Sequence, residues 1–145
     1  MLVVGARPNF MKITQFEKEF KKLRTKIKFI LVHTGQHYDK SMSDVFFNQF
    51  DLKKPDYFLE VGQLSPSGQI GQIIYKLDDI VVQIKPDMIL VPGDVNSTLA
   101  VSIVANKNKI TLGHIESGLR SFDREMPEEI NRILTDEITD HYFVT

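Results

Sequence analysis

The sequence predicts an α/β fold: a Rossmann-like three-layer domain with a mostly parallel sheet. Three observations carry this prediction. Short apolar runs alternate with longer amphipathic segments, the pattern of successive βαβ units. The run Asp87-Met88-Ile89-Leu90-Val91-Pro92 has the unbroken apolarity of a strand covered on both faces. Polar and charged residues cluster directly after the apolar runs, where the carboxyl ends of parallel strands form the ligand crevice of open α/β sheets.

Each element has a local reason. Leu2 to Val4 reads as the first strand and Gly5-Ala6-Arg7 as its turn. Pro8 suits the first turn of a helix, where its missing N–H is not needed. That helix is expected to run to about Leu23, with Phe10, Ile13, Phe16 and Phe20 at helical spacing. Lys28 to His33 is the second strand, followed by the loop Thr34-Gly35-Gln36-His37. Ser41 to Phe50 reads as a helix capped by Ser41. Pro55 to Leu59 suggests a short strand and Gly62 to Gly68 a polar loop. A long amphipathic helix is expected over Ile70 to Ile84, stopped by Lys85-Pro86, then the strand Asp87 to Pro92. Gly93 to Ser97 turns into a small-residue helix, Thr98 to Ala105. Lys109 to Gly113 is the next strand, Glu128 to Thr139 the last helix and His141 to Val144 the last strand.

The chain has 145 residues, enough for one domain with a core. Its net charge of -1 gives no electrostatic case for nucleic acid or an anionic membrane, either of which would favour a clustered basic face. The absence of cysteine excludes disulfides, thiolate zinc sites and cysteine nucleophiles, and fits a cytoplasmic location. No apolar run approaches the length of a membrane span. Because the chain opens inside one apparent strand and stops at another, the domain over 1–145 is expected to be completed by further polypeptide.

The chemistry-bearing residues are positional. Arg7, His33/Gln36/His37, Asp94 and His114/Glu116 all follow apolar runs, so parallel strands would gather them along one rim. No Gly-x-Gly-x-x-Gly follows the first strand and no Walker lysine motif is present, which argues against a dinucleotide or P-loop site. His33 and His37 have metal-like spacing only on a helix, and they bracket a strand-to-loop turn instead. No metal site is expected, because Gly93-Asp94 lacks the dense ligand set of a metallophosphoesterase.

The segments Gly5-Ala6-Arg7-Pro8-Asn9-Phe10-Met11-Lys12, Thr34-Gly35-Gln36-His37, Gly93 to Thr98, His114 to Ser121 and Pro127 to Asp136, in that order, resemble the amino-terminal half of the non-hydrolysing UDP-N-acetylglucosamine 2-epimerases. The resemblance departs at Ala6, where threonine is usual, and at Asn9, where an acidic residue or glutamine is usual. It implies one half of a two-domain glycogen-phosphorylase-like (GT-B type) architecture, with a carboxy-terminal domain supplying most UDP contacts and a catalytic histidine. It also implies a UDP-sugar substrate, no cofactor and a homodimer when complete, acting in cell-surface polysaccharide biosynthesis. Asp94, Glu116 and Glu128 match the family's acid/base trio. Arg7, Lys12, His114, Arg120, Asn131 and Arg132 match substrate-binding positions, and Gln36 and His37 match a loop tied in some members to a regulatory UDP-sugar. The motif Met126 to Asp136 is similar as well to relatives acting on diacetamido uronic-acid nucleotides.

Each residue also has a structural reading. Asp94 reads as an N-cap, Glu116 as a partner of Arg120 at i,i+4, and Glu128 as a first-turn anion. His114 reads as a satisfied near-core histidine, and Arg120 and Arg132 as structural ion pairs. A non-catalytic nucleotide-sugar-binding or assembly module is the alternative function.

Overall fold

Alternation along the first strand decides the layers. Leu2 and Val4 face one side of the sheet and Val3 the other, and all three are buried. The computed structural model describes residues 1–22, 26–36 and 54–145; the side chains of residues 7, 8, 10, 17 and 21 are not among those described. Its elements are β1 (Leu2–Val4), α1 (Arg7–Ile13), α2 (Phe16–Lys22), β2 (Leu31–His33), β3 (Tyr57–Phe58), α3 (Pro66–Ile84), β4 (Met88–Pro92), α4 (Asn96–Lys107), β5 (Thr111–Ser117), α5 (Pro127–Glu137) and β6 (His141–Val144). The expected helix over Ser41 to Phe50 falls outside the described residues.

The strands form one six-stranded sheet in the order β3-β2-β1-β4-β5-β6, every pair parallel. From β1 the chain winds outward one way to β2 and β3, then crosses to β4 and winds outward the other way. Right-handed crossovers in opposite directions put helices on opposite faces. α3, α4 and α5 pack side by side on one face. Val3, Val32, Ile73, Leu77, Val81, Ile89, Val91, Val101, Val104 and Leu112 form the main core beneath them. Ile13, Leu2, Val4 and Leu31 make a smaller core on the other face with Phe16 and Phe29. Between β1 and β4 the winding direction reverses, which opens a crevice at their carboxyl ends.

Several boundaries differ from expectation. The helix expected from Pro8 to Leu23 is two helices broken at Thr14–Gln15. There the Thr14 hydroxyl donates to the Met11 carbonyl at 3.2 Å, a local bond that competes with helix continuation. α3 starts at Pro66 rather than Ile70, because Ser65 Oγ accepts from Gly68 N at 3.2 Å and Pro66 occupies the first turn. Most consequentially, β5 continues past Gly113 to Ser117. His114 and Glu116 therefore lie within the strand's last residues, not after it.

Candidate active site

Three strand ends meet at the switch point. Gly93, just after β4, has φ +72, and a Cβ there would come within 3.1 Å of Asn9 Oδ1 and 3.3 Å of Lys12 Nζ. This close approach packs the β4 turn against the helix that follows β1. The left-handed φ favours glycine, and a Cβ would in addition crowd the ends of the Asn9 and Lys12 side chains. Lys12 Nζ in turn donates to Glu116 Oε2.

Glu116 reaches that position by a β-bulge. β5 and β6 pair at His114↔Tyr142 and Ile115↔Phe143 and resume at Ser117↔Val144, so Glu116 is skipped. Its φ of +67 is left-handed, unfavourable for a residue with a side chain. Backbone strain of this kind, on the order of 1–3 kcal/mol, persists only where surrounding structure enforces it and is concentrated at functional sites. Residues 116–120 are strand end and loop rather than helix, so the i,i+4 spacing does not bring Glu116 to Arg120. Glu116 pairs with Lys12, and Arg120 pairs with Asp136.

Asp94 follows Gly93. It does not cap α4, whose N-cap is Val95 without a side-chain cap bond. Its Oδ2 accepts from Arg132 Nη2 at 2.5 Å, and its carbonyl accepts from Asn131 Nδ2 at 2.9 Å. Asp94 and Glu116 keep 31% and 26% of their side-chain surface, so both remain open to a ligand. Glu128 is exposed in the first turn of α5. Among the described residues no hydrogen bond ties it to either carboxylate.

The face that α5 turns inward is polar. Glu129, Asn131, Thr135 and Asp136 are buried, while Leu134 is 46% exposed. Asp136 receives Gly118 N at 3.0 Å and Arg120 Nη1 at 2.6 Å on Oδ2, with His114 Nδ1 2.6 Å from Oδ1. The other ring nitrogen of His114 donates to the Gly93 carbonyl at 2.7 Å. Burial pushes the Asp136 carboxyl up, but the bonds from His114, Arg120 and Gly118 outweigh it and hold it below its ordinary value. Burial likewise opposes the charge of Arg132, and its pairs with Asp94 and Glu129 more than offset that, raising it.

Sequence reasoning missed Asp136 and Glu129 as organisers of the site. Only the helical phase distinguishes Glu129 from its neighbour Glu128. His114, read from the sequence as a satisfied near-core histidine as well as a substrate-binding match, is fully buried with both ring nitrogens occupied. Asn131 is buried too and holds the Asp94 backbone. Gln36 is buried, with Oε1 accepting from Ser97 N at 3.0 Å and Ser97 Oγ at 2.6 Å, so it caps α4 across the switch point. The side chains of Arg7 and His37 lie outside those described. His33 packs against Phe58 and accepts Gly35 N at 2.7 Å on Nδ1; burial lowers its pKa to about 4.

The sequence profile of the family described as UDP-N-acetylglucosamine 2-epimerase matches residues 19–145. The chain belongs to this family. It is 46% identical over 142 residues to the UDP-N-acetylglucosamine 2-epimerase of Methanococcus maripaludis, covering 98% of this chain and 38% of that protein. It is 43% identical over 143 residues to the UDP-2,3-diacetamido-2,3-dideoxy-D-glucuronate 2-epimerase of Pseudomonas aeruginosa, covering 99% of this chain and 40% of that protein. The crystal structure of the Methanocaldococcus jannaschii UDP-GlcNAc 2-epimerase in complex with UDP-GlcNAc and UDP superposes with a TM-score of 0.93 at 40% identity, over 99% of this chain and 39% of that one. This 2-epimerase family chain thus spans about two fifths of the length of the relatives it matches. Among the described residues no helix is long and apolar enough to cross a membrane.

Proposed function

We propose that this chain is the amino-terminal half of an enzyme that inverts C2 of a UDP-N-acetylhexosamine, converting UDP-N-acetylglucosamine to its manno epimer. The observation that carries the reading is the convergence of two partly exposed carboxylates, Asp94 after β4 and Glu116 on the β5 bulge, beside Lys12 at the switch point.

The chemistry explains why such a rim is needed. The C2–H bond has no adjacent carbonyl, so direct deprotonation is very slow. If the C1–O bond to UDP breaks first or concurrently, positive character at C1 acidifies that hydrogen. A carboxylate removes the proton, leaving a glycal and UDP. Protonation of C2 from the opposite face and return of UDP to C1 give the epimer. Asp94, Glu116 and Glu128 are the proposed acid/base groups. Arg7, Lys12, Arg120 and Arg132 supply positive charge for the departing diphosphate, with His114 and Asn131 holding the Gly93–Asp94 turn. No cofactor is required by this route. The rest of the cleft, with most of the UDP contacts, belongs to a second domain of a GT-B-type architecture, so the chain alone is expected to show little turnover.

The test supplies the carboxy-terminal half of an archaeal relative and follows the sugar nucleotide in D2O. Deuterium at C2 of both epimers, lost in Asp94→Asn and Glu116→Gln, supports the reading. Wild-type rates in both variants would instead favour a non-catalytic nucleotide-sugar-binding or assembly module. The Pseudomonas aeruginosa relative is nearly as similar as the Methanococcus maripaludis one. The diacetamido uronic-acid nucleotide is therefore assayed as the alternative substrate.

A further inference from the structure

We propose that Glu129 is the positioning residue for Asp94, acting through Arg132, and that the same carboxylate locks the loop between β5 and α5 to that arrangement. The functional weight of Asp94 in this inference rests on the reading above; the clamp itself does not.

Glu129 is 1% exposed. A carboxylate so buried persists only if its oxygens are satisfied. Here Oε2 accepts from Ser121 N at 2.9 Å and from Arg132 Nη1 at 3.1 Å, and Oε1 accepts from Phe122 N at 3.1 Å. These bonds, the one from Ser121 first, hold its pKa down to about 2, so the anion is permanent under physiological conditions. A guanidinium is planar and rigid, so fixing Nη1 decides where Nη2 points. Nη2 meets Asp94 Oδ2. Among the described residues nothing bonds the other oxygen of Asp94, Oδ1, so Arg132 is the group that orients this carboxylate there. The neighbouring Glu128 lies about 100° around the helix, on the exposed side, and cannot substitute.

Loop and carboxylate are joined by the same anchor. Phe122 has φ +61 and is 89% exposed, so no side-chain packing explains its left-handed backbone; the bond to Glu129 does. A fixed anion between a strained loop and a catalytic-rim arginine is an arrangement for geometry, since the Arg132–Asp94 pair would form without it but would be free to swing.

Two measurements test this. In the 145-residue chain, nitrogen-15 NMR of Arg132 is expected to show separate, slowly rotating Nη signals that merge in Glu129→Gln. A single averaged signal in the wild-type chain overturns the clamp, and this arm decides it whether or not turnover is found. In the protein completed with a relative's carboxy-terminal half, Glu129→Gln is expected to lower kcat about 100-fold, the scale of a misplaced reacting group, with KM within about twofold. In an Asp94→Asn background the same change should have little further effect. Equal losses in both backgrounds, or a loss confined to KM, refute the proposal. If Glu129→Gln does not fold, Arg132→Lys, which keeps a cation but loses the fork, must reproduce the kcat loss; an unchanged kcat overturns it equally.

Discussion

Replacing Asp136 by asparagine keeps the shape of the hub on α5 and removes its charge. Asp136 accepts from Arg120, Gly118 and His114 at 2.6–3.0 Å, and is 7% exposed. Asparagine retains one acceptor oxygen and turns an NH2 group toward at least one donor. Each hydrogen bond to a charged group contributes about 1.5–3 kcal/mol, and one buried donor is left unsatisfied, so a loss of ~2–4 kcal/mol is expected. For a domain of this size that lowers Tm by about 6–12 °C. Urea unfolding followed by circular dichroism, with matched thermal melts, measures it. The pH dependence supplies a signed check. The folded-state pKa of Asp136 lies below its ordinary 3.8, so its contribution is complete above that value and disappears as pH falls through the lower folded one. The gap between wild type and variant should therefore be full at neutral pH and close in strong acid. A loss below about 0.5 kcal/mol at pH 7, within the range of ordinary surface substitutions, would refute the claim that this hub holds the Gly93 turn.

Three further outcomes follow from local geometry. His33 has its pKa lowered from 6.5 to about 4 by burial. Stability should fall as pH drops from 6.5 toward 4, by up to ~3 kcal/mol at the lower end; His33→Asn, which keeps an acceptor for Gly35 N, should flatten that slope, and an unchanged acid limb would refute it. Gly93→Ala forces a left-handed alanine against Asn9 and Lys12, and should cost ~1–2 kcal/mol in thermal or urea unfolding; an unchanged Tm would count against the turn geometry. Gly5→Ala places a methyl 2.0 Å from Ser97 Oγ, an overpacking worth about 1–3 kcal/mol. Adding Ser97→Gly should recover part of that loss, and no recovery would place the clash elsewhere.

The sheet was legible because buried parallel strands advertise themselves as apolar runs: β4 and the start of β5 were each visible within a residue or two. β5's last four residues were not, since His114 and Glu116 are polar and their placement depends on partners in α5 and α1 respectively. The helix over Pro66–Ile84 was legible from its amphipathic periodicity and that over Asn96–Lys107 from its small residues, yet both start earlier than expected. For the first, apolar periodicity begins at Ile70, whereas the helix begins at its Ser65 cap. At the site, Asp94, Glu116 and Lys12 were accessible from position and resemblance. Glu129 and Asp136 were not, because α5 inverts the ordinary rule and buries its polar face while exposing Leu134. Binary patterning reads such a helix inside out. A hydrogen-bonded polar interior under a ligand rim is where local and global preferences are expected to disagree.

One thread of amides crosses the domain in a single sense. Asn131 Nδ2 donates to Asn96 Oδ1 at 3.3 Å, Asn96 Nδ2 to Gln69 Oε1 at 2.9 Å, and Gln69 Nε2 to the Gly62 carbonyl at 3.4 Å. Because a main-chain oxygen terminates it, the orientation of every link upstream is dictated from that end, like dominoes able to topple one way only. Reversing one amide would set nitrogen against nitrogen at the next, so the Gly62 carbonyl at one end and the Asp94 carbonyl, which accepts from Asn131 Nδ2 at 2.9 Å, at the other impose the same sense. Deamidation at Asn96 would cut this thread at its middle: a carboxylate still accepts from Asn131 but has no N–H to offer Gln69, so the turn at Gly62 would be uncoupled from the Asn131 that holds the Asp94 carbonyl.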